Sequence, residues 1–219
     1  MYRMRLLLGV LPLCVCGCLG TGTKPEAAKP LGDAPESVFD GKSLKGWKVA
    51  DQFVFSTHGK VHVKDGSLLL DKGGPFTGIC CKRALPNEGY EIELDAKRTS
   101  DMDIFCGIVC PVGDAHISFV MGGWSDNVVG ISCVNWMAAN DNETAKMMHF
   151  ELNRWYHVRL RVTPEKVEAW IDNEKVVDLP RADRKLSLYL GLEPLVPFGF
   201  FTWETGSALK NITVRRVSE

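Results

Sequence analysis

The chain has 219 residues, of which 45% are hydrophobic and 24% are charged. This length and apolar content fit one globular domain of ordinary size. The 26 Lys and Arg residues nearly balance the 27 Asp and Glu residues, so the chain lacks the basic excess of a nucleic-acid-binding surface. We therefore expect no nucleic-acid partner.

The N-terminus has the pattern of an export signal. A short basic segment (residues 1–5) precedes an apolar run over residues 6–15, and that run is too short to cross a bilayer, which takes about 20 residues. The sequence VCGC at residues 15–18 resembles the lipobox of bacterial lipoproteins, with Cys18 as the lipidated residue. Plain secretion is the alternative. Leu19, rather than Asp, follows Cys18, which by resemblance to lipoprotein sorting favours the outer membrane.

Three segments are expected. Residues 1–18 form the lipoprotein signal peptide, and residues 19–36, rich in Gly, Pro, Ala and Lys, form a flexible tether with no apolar face to bury. Residues 37–219 form a single domain. The membrane is then a partner through the lipid anchor only, and we expect the protein in the bacterial cell envelope.

The stretch from Trp155 to Pro180 predicts a meander of three short strands. Apolar and polar residues alternate along it, which places one face against a core and the other in solvent. Turns are expected at residues 163–165 and 172–173. A meander with one apolar face needs a second sheet to cover that face.

Short apolar runs between turn signals recur through the rest of the chain and predict an all-β sandwich or jelly roll. The segment Ala138–Lys146 is the one candidate for a short helix, and a loop is the equal alternative. The further predicted strands are Val61–Lys64, Ser67–Leu70, Gly78–Lys82, Tyr90–Arg98, Ile104–Val112, His116–Met121, Val128–Val134, Met147–Glu151, Leu186–Leu192, Phe198–Trp203 and Leu209–Val217.

One predicted strand carries the acidic face Glu91, Glu93 and Asp95, and the meander carries the basic face of Arg159 and Arg161. We expect these faces to lie side by side, because opposite charges on neighbouring strands contribute about 0.2–1 kcal/mol per pair. A structural role is favoured for these charges over a role in substrate binding.

Five cysteines lie beyond the signal region: Cys80, Cys81, Cys106, Cys110 and Cys133. Cys106 and Cys110 share a strand and are too far apart to bond to each other, whereas Cys80 or Cys81 could reach across a sheet. The spacing lacks a CxxC pair, which argues against zinc. Buried thiols that act as small hydrophobic side chains are the default interpretation.

Both ends of the predicted domain resemble the 3-keto-disaccharide hydrolase domain family. The opening VFDGKSLKGW (residues 38–47), the meander segment at residues 168–178 and the closing strand at residues 209–215 carry the resemblance. It implies a concanavalin-like jelly-roll sandwich of two antiparallel sheets that is directed at carbohydrate. It also implies cleavage of glycosidic bonds in sugars that are already oxidised at C3, which requires a base and an electrophile for the enolate.

The middle of the chain departs from the family pattern, because no Glu occurs in the strand at residues 116–124. Candidate catalytic groups therefore come from the chain itself. His116 with Asp114 two residues before it could act as a base oriented by a carboxylate, although a surface histidine is the simpler interpretation. Glu193 and Glu204, at expected strand ends, are the second-rank acid or base candidates.

Tryptophans are the candidates for substrate binding, since aromatic faces stack on sugar rings. Trp124, Trp136, Trp170 and Trp203 lie on separate strands or loops, and Arg159 on the basic face of the meander joins them. For Trp170, packing beneath a loop is an equal alternative.

Asp141 and Glu143 lie in a loop rich in oxygen ligands and are the candidates for binding a divalent metal. Ordinary polar turn residues are the alternative. The leading functional hypothesis is a carbohydrate-directed domain that cleaves 3-keto-glycosides. Its rivals are a non-catalytic module that binds glycan or protein, and a structural envelope lipoprotein.

Overall fold

The computed structural model describes residues 30–217, and within them the chain forms two antiparallel sheets. The predicted signal peptide and most of the predicted tether lie outside the described residues. The strands are β1 (Glu36–Ser37), β2 (Trp47–Val49), β3 (Val61–Lys64), β4 (Ser67–Leu70), β5 (Phe76–Cys81), β6 (Tyr90–Arg98), β7 (Cys106–Val112), β8 (Ala115–Gly122), β9 (Val128–Ser132), β10 (Lys146–Met147), β11 (Tyr156–Val162), β12 (Lys166–Ile171), β13 (Glu174–Pro180), β14 (Phe198–Trp203) and β15 (Ser207–Arg216).

The first sheet has the order β13-β12-β11-β6-β15-β4-β3, with β1 paired to β15. The second sheet has the order β10-β9-β8-β7-β14-β5-β2. The last strand of the chain thus lies in the middle of the first sheet, next to β6 and β4. These crossovers between the sheets are those of a sandwich, and the all-β prediction is confirmed.

The predicted meander is β11, β12 and β13, three neighbouring antiparallel strands at one edge of the first sheet. The predicted charge pairing is also confirmed, because β11 lies beside β6 with Arg161 opposite Glu91 and Arg159 opposite Glu93. The Arg161 Nε donates to Glu91 at 2.7 Å, and the Arg215 Nε of β15 donates to the same carboxylate at 3.0 Å. Glu91 is fully buried beneath these arginines.

The pKa values of the two glutamates in this network move in opposite directions. Burial alone would raise the pKa of Glu91, but hydrogen bonds from Arg215 and Arg161 hold it below the ordinary value. For Glu93, burial and the neighbouring Glu91 carboxylate raise the pKa. The charged form of Glu91 therefore stabilises the sheet.

The main core lies between the sheets and takes alternate residues from every long strand. In β14, for example, Phe198 and Phe200 point into it. All five cysteines in the described residues are free thiols. Burial raises the pKa of Cys106 and of Cys110 to about 12, so these two act as small apolar side chains, as expected.

A second apolar cluster lies on the outer face of the second sheet. The residues that alternate with the core positions, such as Val109, Val120 and Phe201, form it together with Phe55 and Leu195 from two crossing segments. The outer face of this sheet is therefore largely covered.

The crossing segment at residues 186–192 explains one wrong prediction. Residues Leu186–Leu192 alternate like a strand, yet only Leu186 makes a bridge, to Val134, and the segment then crosses the outer face of the sheet. Leu188 and Leu192 pack into the second cluster. Their alternation reflects packing onto a sheet rather than membership of one. A short 3-10 helix, Glu193–Leu195, follows.

Of the two alternatives left open for the segment Ala138–Lys146, the structure has the loop, with turns over residues 138–145. The strand predicted at Met147–Glu151 is wrong for most of its length, because only Met147 is in β10. The loop is held by the buried Asn142, whose amide nitrogen donates to the carbonyl oxygens of Ile131 and Ala138 at 2.8 Å.

The last residues assigned to the tether contact the sandwich. The backbone carbonyl of Gly32 accepts a hydrogen bond from the backbone N–H of Arg216, and Glu36 pairs with Arg83 at 3.0 Å. No helix within residues 30–217 has the length and apolar character that crossing a bilayer requires.

Candidate active site

A pocket of about 350 Å³ lies on the outer face of the second sheet, between the sheet and the crossing segment. Its volume is at the small end of the usual range for ligand sites, about 300–1,000 Å³. The side chains that line it are Phe76, Asp103, Ile104, Ser118, Val120, Trp124, Ser132, Tyr189, Leu192, Phe201 and Trp203.

The floor of the pocket is aromatic because a glycine makes room for a ring. Gly107 of β7 pairs with Phe201 of β14, and a Cβ placed on Gly107 would lie 2.2 Å from the Phe201 ring. The ring therefore lies flat over the backbone of β7. Next to it, Phe76 and Trp203 meet edge to face with their centroids 4.4 Å apart.

One wall is formed by the turn at Gly123–Asp126, which connects β8 to β9. Gly122 enters this turn with φ 84°, and Trp124 itself has φ 51°, a conformation that bulky side chains rarely adopt. The turn leaves the Trp124 indole 41% exposed at the pocket. Such outliers are common at functional sites, so the geometry of Trp124 supports a role in binding.

Few polar groups face the pocket, and most are already bonded within the protein. The Ser118 hydroxyl donates to the Ser132 carbonyl at 2.9 Å, and the Ser132 hydroxyl accepts from the Ala139 N–H at 3.1 Å. The carboxylate is supplied by Asp103, whose Oδ1 accepts the Ile104 N–H at 2.8 Å. Asp103 is thus the acid or base candidate that the pocket itself offers.

Only two of the predicted substrate-binding residues line the pocket. Trp124 and Trp203 both line the pocket. Trp136 is 75% exposed and is not part of the lining. Trp170 and Arg159 are on the outer face of the first sheet, where the guanidinium of Arg159 stacks on the indole 4.0 Å from its centroid.

None of the predicted catalytic residues is part of the pocket lining. His116 is on the outer face of β8, two residues from Ser118 of the pocket, and burial lowers the pKa of its imidazole. Asp114 lines a different cavity, and the structure does not bring it into the pocket with Ser118. Glu204 and Glu193 are both exposed, and they follow the pocket residues Trp203 and Leu192 in the chain.

The predicted metal ligands do not form a cluster. Glu143 accepts a hydrogen bond from Arg184 at 2.7 Å, and Asp141 is exposed. Within residues 30–217, no group of three or more His, Cys, Asp and Glu side chains is arranged to hold a metal ion. Divalent metal binding at Asp141 and Glu143 stays a prediction without a supporting ligand set.

Two wider cavities, of about 640 and 610 Å³, flank Pro164 at one end of the sandwich. The Arg181 guanidinium at these cavities is already paired, since it donates to Glu88 and to the Thr163 carbonyl at 2.6 Å. We therefore take the smaller pocket on the second sheet as the candidate site, despite its lower volume.

Sequence reasoning missed Asp103 and Tyr189. Asp103 comes directly before the predicted strand at Ile104–Val112, and carboxylates at strand ends are the usual candidates in a sandwich, so a signal for it was present. Tyr189 could not be found in the same way, because it lies inside the segment that was predicted as a strand.

Comparison with solved structures confirms the jelly-roll fold. A Bacillus licheniformis β-glucanase matches with a TM-score of 0.53 and 10% identity, over 86% of this chain and 99% of the other. The carbohydrate-binding module CBM66 from Bacillus subtilis matches with a TM-score of 0.51 and 11% identity, over 78% of this chain and 95% of the other. At these identities the likeness shows the fold alone.

A comparison with curated protein sequences finds no match. The model of one family, described as the 3-keto-alpha-glucoside-1,2-lyase-like domain, matches residues 34–215, which is most of the chain. The resemblance in the opening segment, the meander and the closing strand is thereby confirmed. The chain belongs to the 3-keto-alpha-glucoside-1,2-lyase-like domain family, a family of carbohydrate-related domains.

Proposed function

We propose that the protein binds a 3-keto-glycoside in the pocket on the second sheet and cleaves its glycosidic bond, with Asp103 as the base. The observation that supports this most is the convergence of Trp124, Trp203 and the Asp103 carboxylate on one cavity. Indole faces suit sugar rings, and a carboxylate beside them suits proton transfer.

The chemistry follows from the ketone. A carbonyl at C3 acidifies the C–H at C2, so the Asp103 carboxylate can take that proton as the electrons of the C–H bond form an enolate. The C1–O bond then breaks as the enolate electrons form the C1=C2 double bond and the C3 ketone is restored. The leaving oxygen takes the proton from the Asp103 carboxylic acid, which returns to a carboxylate. Water adds across the double bond to give the free 3-keto sugar.

Release of sugars from a 3-keto disaccharide tests this proposal. The full-length chain is incubated with the disaccharide, and free sugars are followed over time. We expect release by the unchanged protein and a loss of at least about a hundredfold in Asp103→Asn, since general-base catalysis contributes about 10²–10⁴-fold. Glu204→Gln is the matched carboxylate control, because Glu204 is exposed and lies outside the lining. Equal rates for the unchanged protein and Asp103→Asn would contradict the role of Asp103.

The second candidate function is a non-catalytic module that binds a glycan at the same pocket. It is favoured by the small number of ionisable groups there, since Asp103 alone of the lining residues carries a carboxylate. This alternative expects an unoxidised or oxidised glycan to bind without release of sugars. The same incubation, combined with a binding measurement, separates the two functions.

We also propose that the protein is exported and held in the cell envelope through a lipid on Cys18. The proposal is supported by the lipobox-like sequence at residues 15–18. Mass spectrometry of the protein from a bacterial membrane fraction should find acyl chains on Cys18 and none in Cys18→Ala. An N-terminus cleaved elsewhere, without lipid, would refute the anchor.

A further inference from the structure

We propose that the turn at Trp136 docks onto the membrane that the lipid on Cys18 enters, with the indole in the headgroup layer. This inference rests on the proposed lipid anchor and is independent of the pocket on the second sheet. Its basis is a tryptophan that is 75% exposed, in a backbone conformation that disfavours it, at the end of the sandwich where the chain enters the domain.

The backbone of this turn does not suit a bulky side chain. Two backbone hydrogen bonds between Val134 and Met137, of 3.1 and 2.9 Å, close the turn. Asn135 has φ 50° and Trp136 has φ 69°, which is the pattern of a type I′ turn. Asn is favoured at the first of these positions and Gly at the second, so the tryptophan lowers the stability of the turn. Because the indole buries little surface within the domain, its presence points to a contact outside it.

The turn lies at the end of the sandwich where the chain enters the domain. Leu31 lines one of the two cavities that flank Pro164, and Leu186 lines the other. Lys185, next to Leu186, is bonded to the turn, since its backbone carbonyl accepts the Asn135 N–H at 2.8 Å and its own N–H donates to the Asn135 side chain at 2.9 Å. The indole and the entry of the chain therefore belong to the same end of the molecule.

The segment between the anchor and the domain keeps this end close to the bilayer. Cys18 and Leu31 are 13 residues apart (31 − 18), so their separation is at most about 45 Å. At that reach, contact with the membrane is an intramolecular event with an effective concentration in the millimolar range, and a small contact area suffices. Tryptophan is the side chain that membrane–water interfaces favour, because its ring is apolar and its N–H is polar.

The surroundings of the turn favour apolar contact over ionic contact. Met137, the next residue of the turn, is 40% exposed and adds a second apolar side chain. Arg184 is paired with Glu143 at 2.7 Å, so this cation is already neutralised within the protein. Docking should therefore occur on phosphatidylcholine, which has no net charge, and should change little between low and high salt.

Quenching of tryptophan fluorescence by brominated lipid tests the inference on the full lipidated chain. The chain is reconstituted into phosphatidylcholine vesicles that carry bromine on the acyl chains close to the headgroups. Flotation of the vesicles reports the anchor, and quenching reports the indole, because bromine quenches only at short range. We expect quenching of the unchanged protein and its loss in Trp136→Phe.

Trp155→Phe is the matched control. Trp155 lies next to the first residue of β11, whose last residue, Val162, accepts the N–H of Gly89 at the end where the chain enters. Trp155 is therefore at the opposite end of the sandwich, and its replacement should leave the quenching in place.

A second variant separates docking from a role in the fold. Trp136→Gly should keep or raise the midpoint of urea unfolding, because Gly suits the positive φ of this position, and it should lose the quenching. A lower midpoint in Trp136→Gly would show that the indole serves the fold and would overturn the inference.

The remaining outcomes separate this inference from the anchor on which it rests. Flotation without quenching that depends on Trp136 would overturn the docking and leave the anchor intact. Loss of flotation together with an unmodified Cys18 would overturn the anchor, and the inference with it. Protection of Trp136 from aqueous acrylamide by maltose rather than by vesicles would assign the indole to a glycan and would also overturn the docking.

Discussion

The close approach of Gly107 to the ring of Phe201 makes the floor of the pocket sensitive to a single methyl group. In Gly107→Ala the new Cβ would lie 2.2 Å from the ring, whereas ordinary contact begins at 3.4 Å, so the ring must move by 1.2 Å (3.4 − 2.2). Phe201 is 2% exposed, and its ring lies between Gly107 of β7 and the pocket that it lines, so the ring can move mainly into the pocket. The variant should therefore lose both stability and ligand affinity.

The cost can be estimated from its parts. Overpacking of a filled core costs about 1–3 kcal/mol, and the reduced freedom of the unfolded chain returns about 0.4–1 kcal/mol. We expect a net loss of about 1–2 kcal/mol in the free energy of unfolding, measured by urea denaturation with tryptophan fluorescence. For a domain of this size that corresponds to a decrease in Tm of about 2–8 °C.

Gly32→Ala is the matched control for this substitution. A Cβ at Gly32 has its nearest neighbour, an oxygen of Glu36, at 3.5 Å, which is ordinary contact. Its unfolding free energy should change by less than about 0.5 kcal/mol. Unchanged stability and unchanged ligand affinity in Gly107→Ala would refute the account of how the pocket floor is built.

Three further predictions concern the rest of the fold and the pocket wall. Glu91→Gln should reduce the free energy of unfolding at pH 7 by about 2–3 kcal/mol, while Asp178→Asn, at an exposed carboxylate, should change it little. Because the pKa of Glu91 is lowered in the fold, its contribution to the free energy of unfolding is present above its unfolded pKa of about 4.3 and is lost as the pH falls. In Glu91→Gln, the free energy of unfolding should therefore fall less steeply on the acid side of a stability–pH curve. Asn142→Ala should cost about 2–3 kcal/mol in thermal or urea unfolding, because several backbone groups lose their partner, and a change below about 0.5 kcal/mol would contradict that role. Trp124→Ala should raise the Kd for a glycoside about threefold to tenfold by calorimetry, while Trp155→Ala, at the outer face of the first sheet, should leave it unchanged.

The parts of the fold that sequence predicted well are those whose pattern is local. The strands Tyr156–Val162 and Tyr90–Arg98 alternate along most of their length, and the acidic positions of one face basic positions on the other. Because strand pairing has a period of two residues, this information lies in a few neighbouring positions. The family resemblance supplied the jelly-roll class.

The candidate site was predictable only in part, because it is formed by segments far apart in the chain. Trp124 and Trp203 were identified by residue type, but nothing local separates them from Trp136 or Trp170. Their meeting depends on the crossing segment near Tyr189, whose alternation is the same as that of a strand. The period of apolar residues shows that a segment buries one face, but it does not show which surface covers that face.

A crystal structure of the Asp103→Asn variant with a bound 3-keto-glycoside would test the central claim most directly. The account predicts electron density for the ligand on the second sheet, between Trp124 and Trp203, with C2 of the oxidised ring next to the substituted side chain at position 103. Ligand density on the outer face of the first sheet instead, against Trp170 and Arg159, would contradict the assignment of the site.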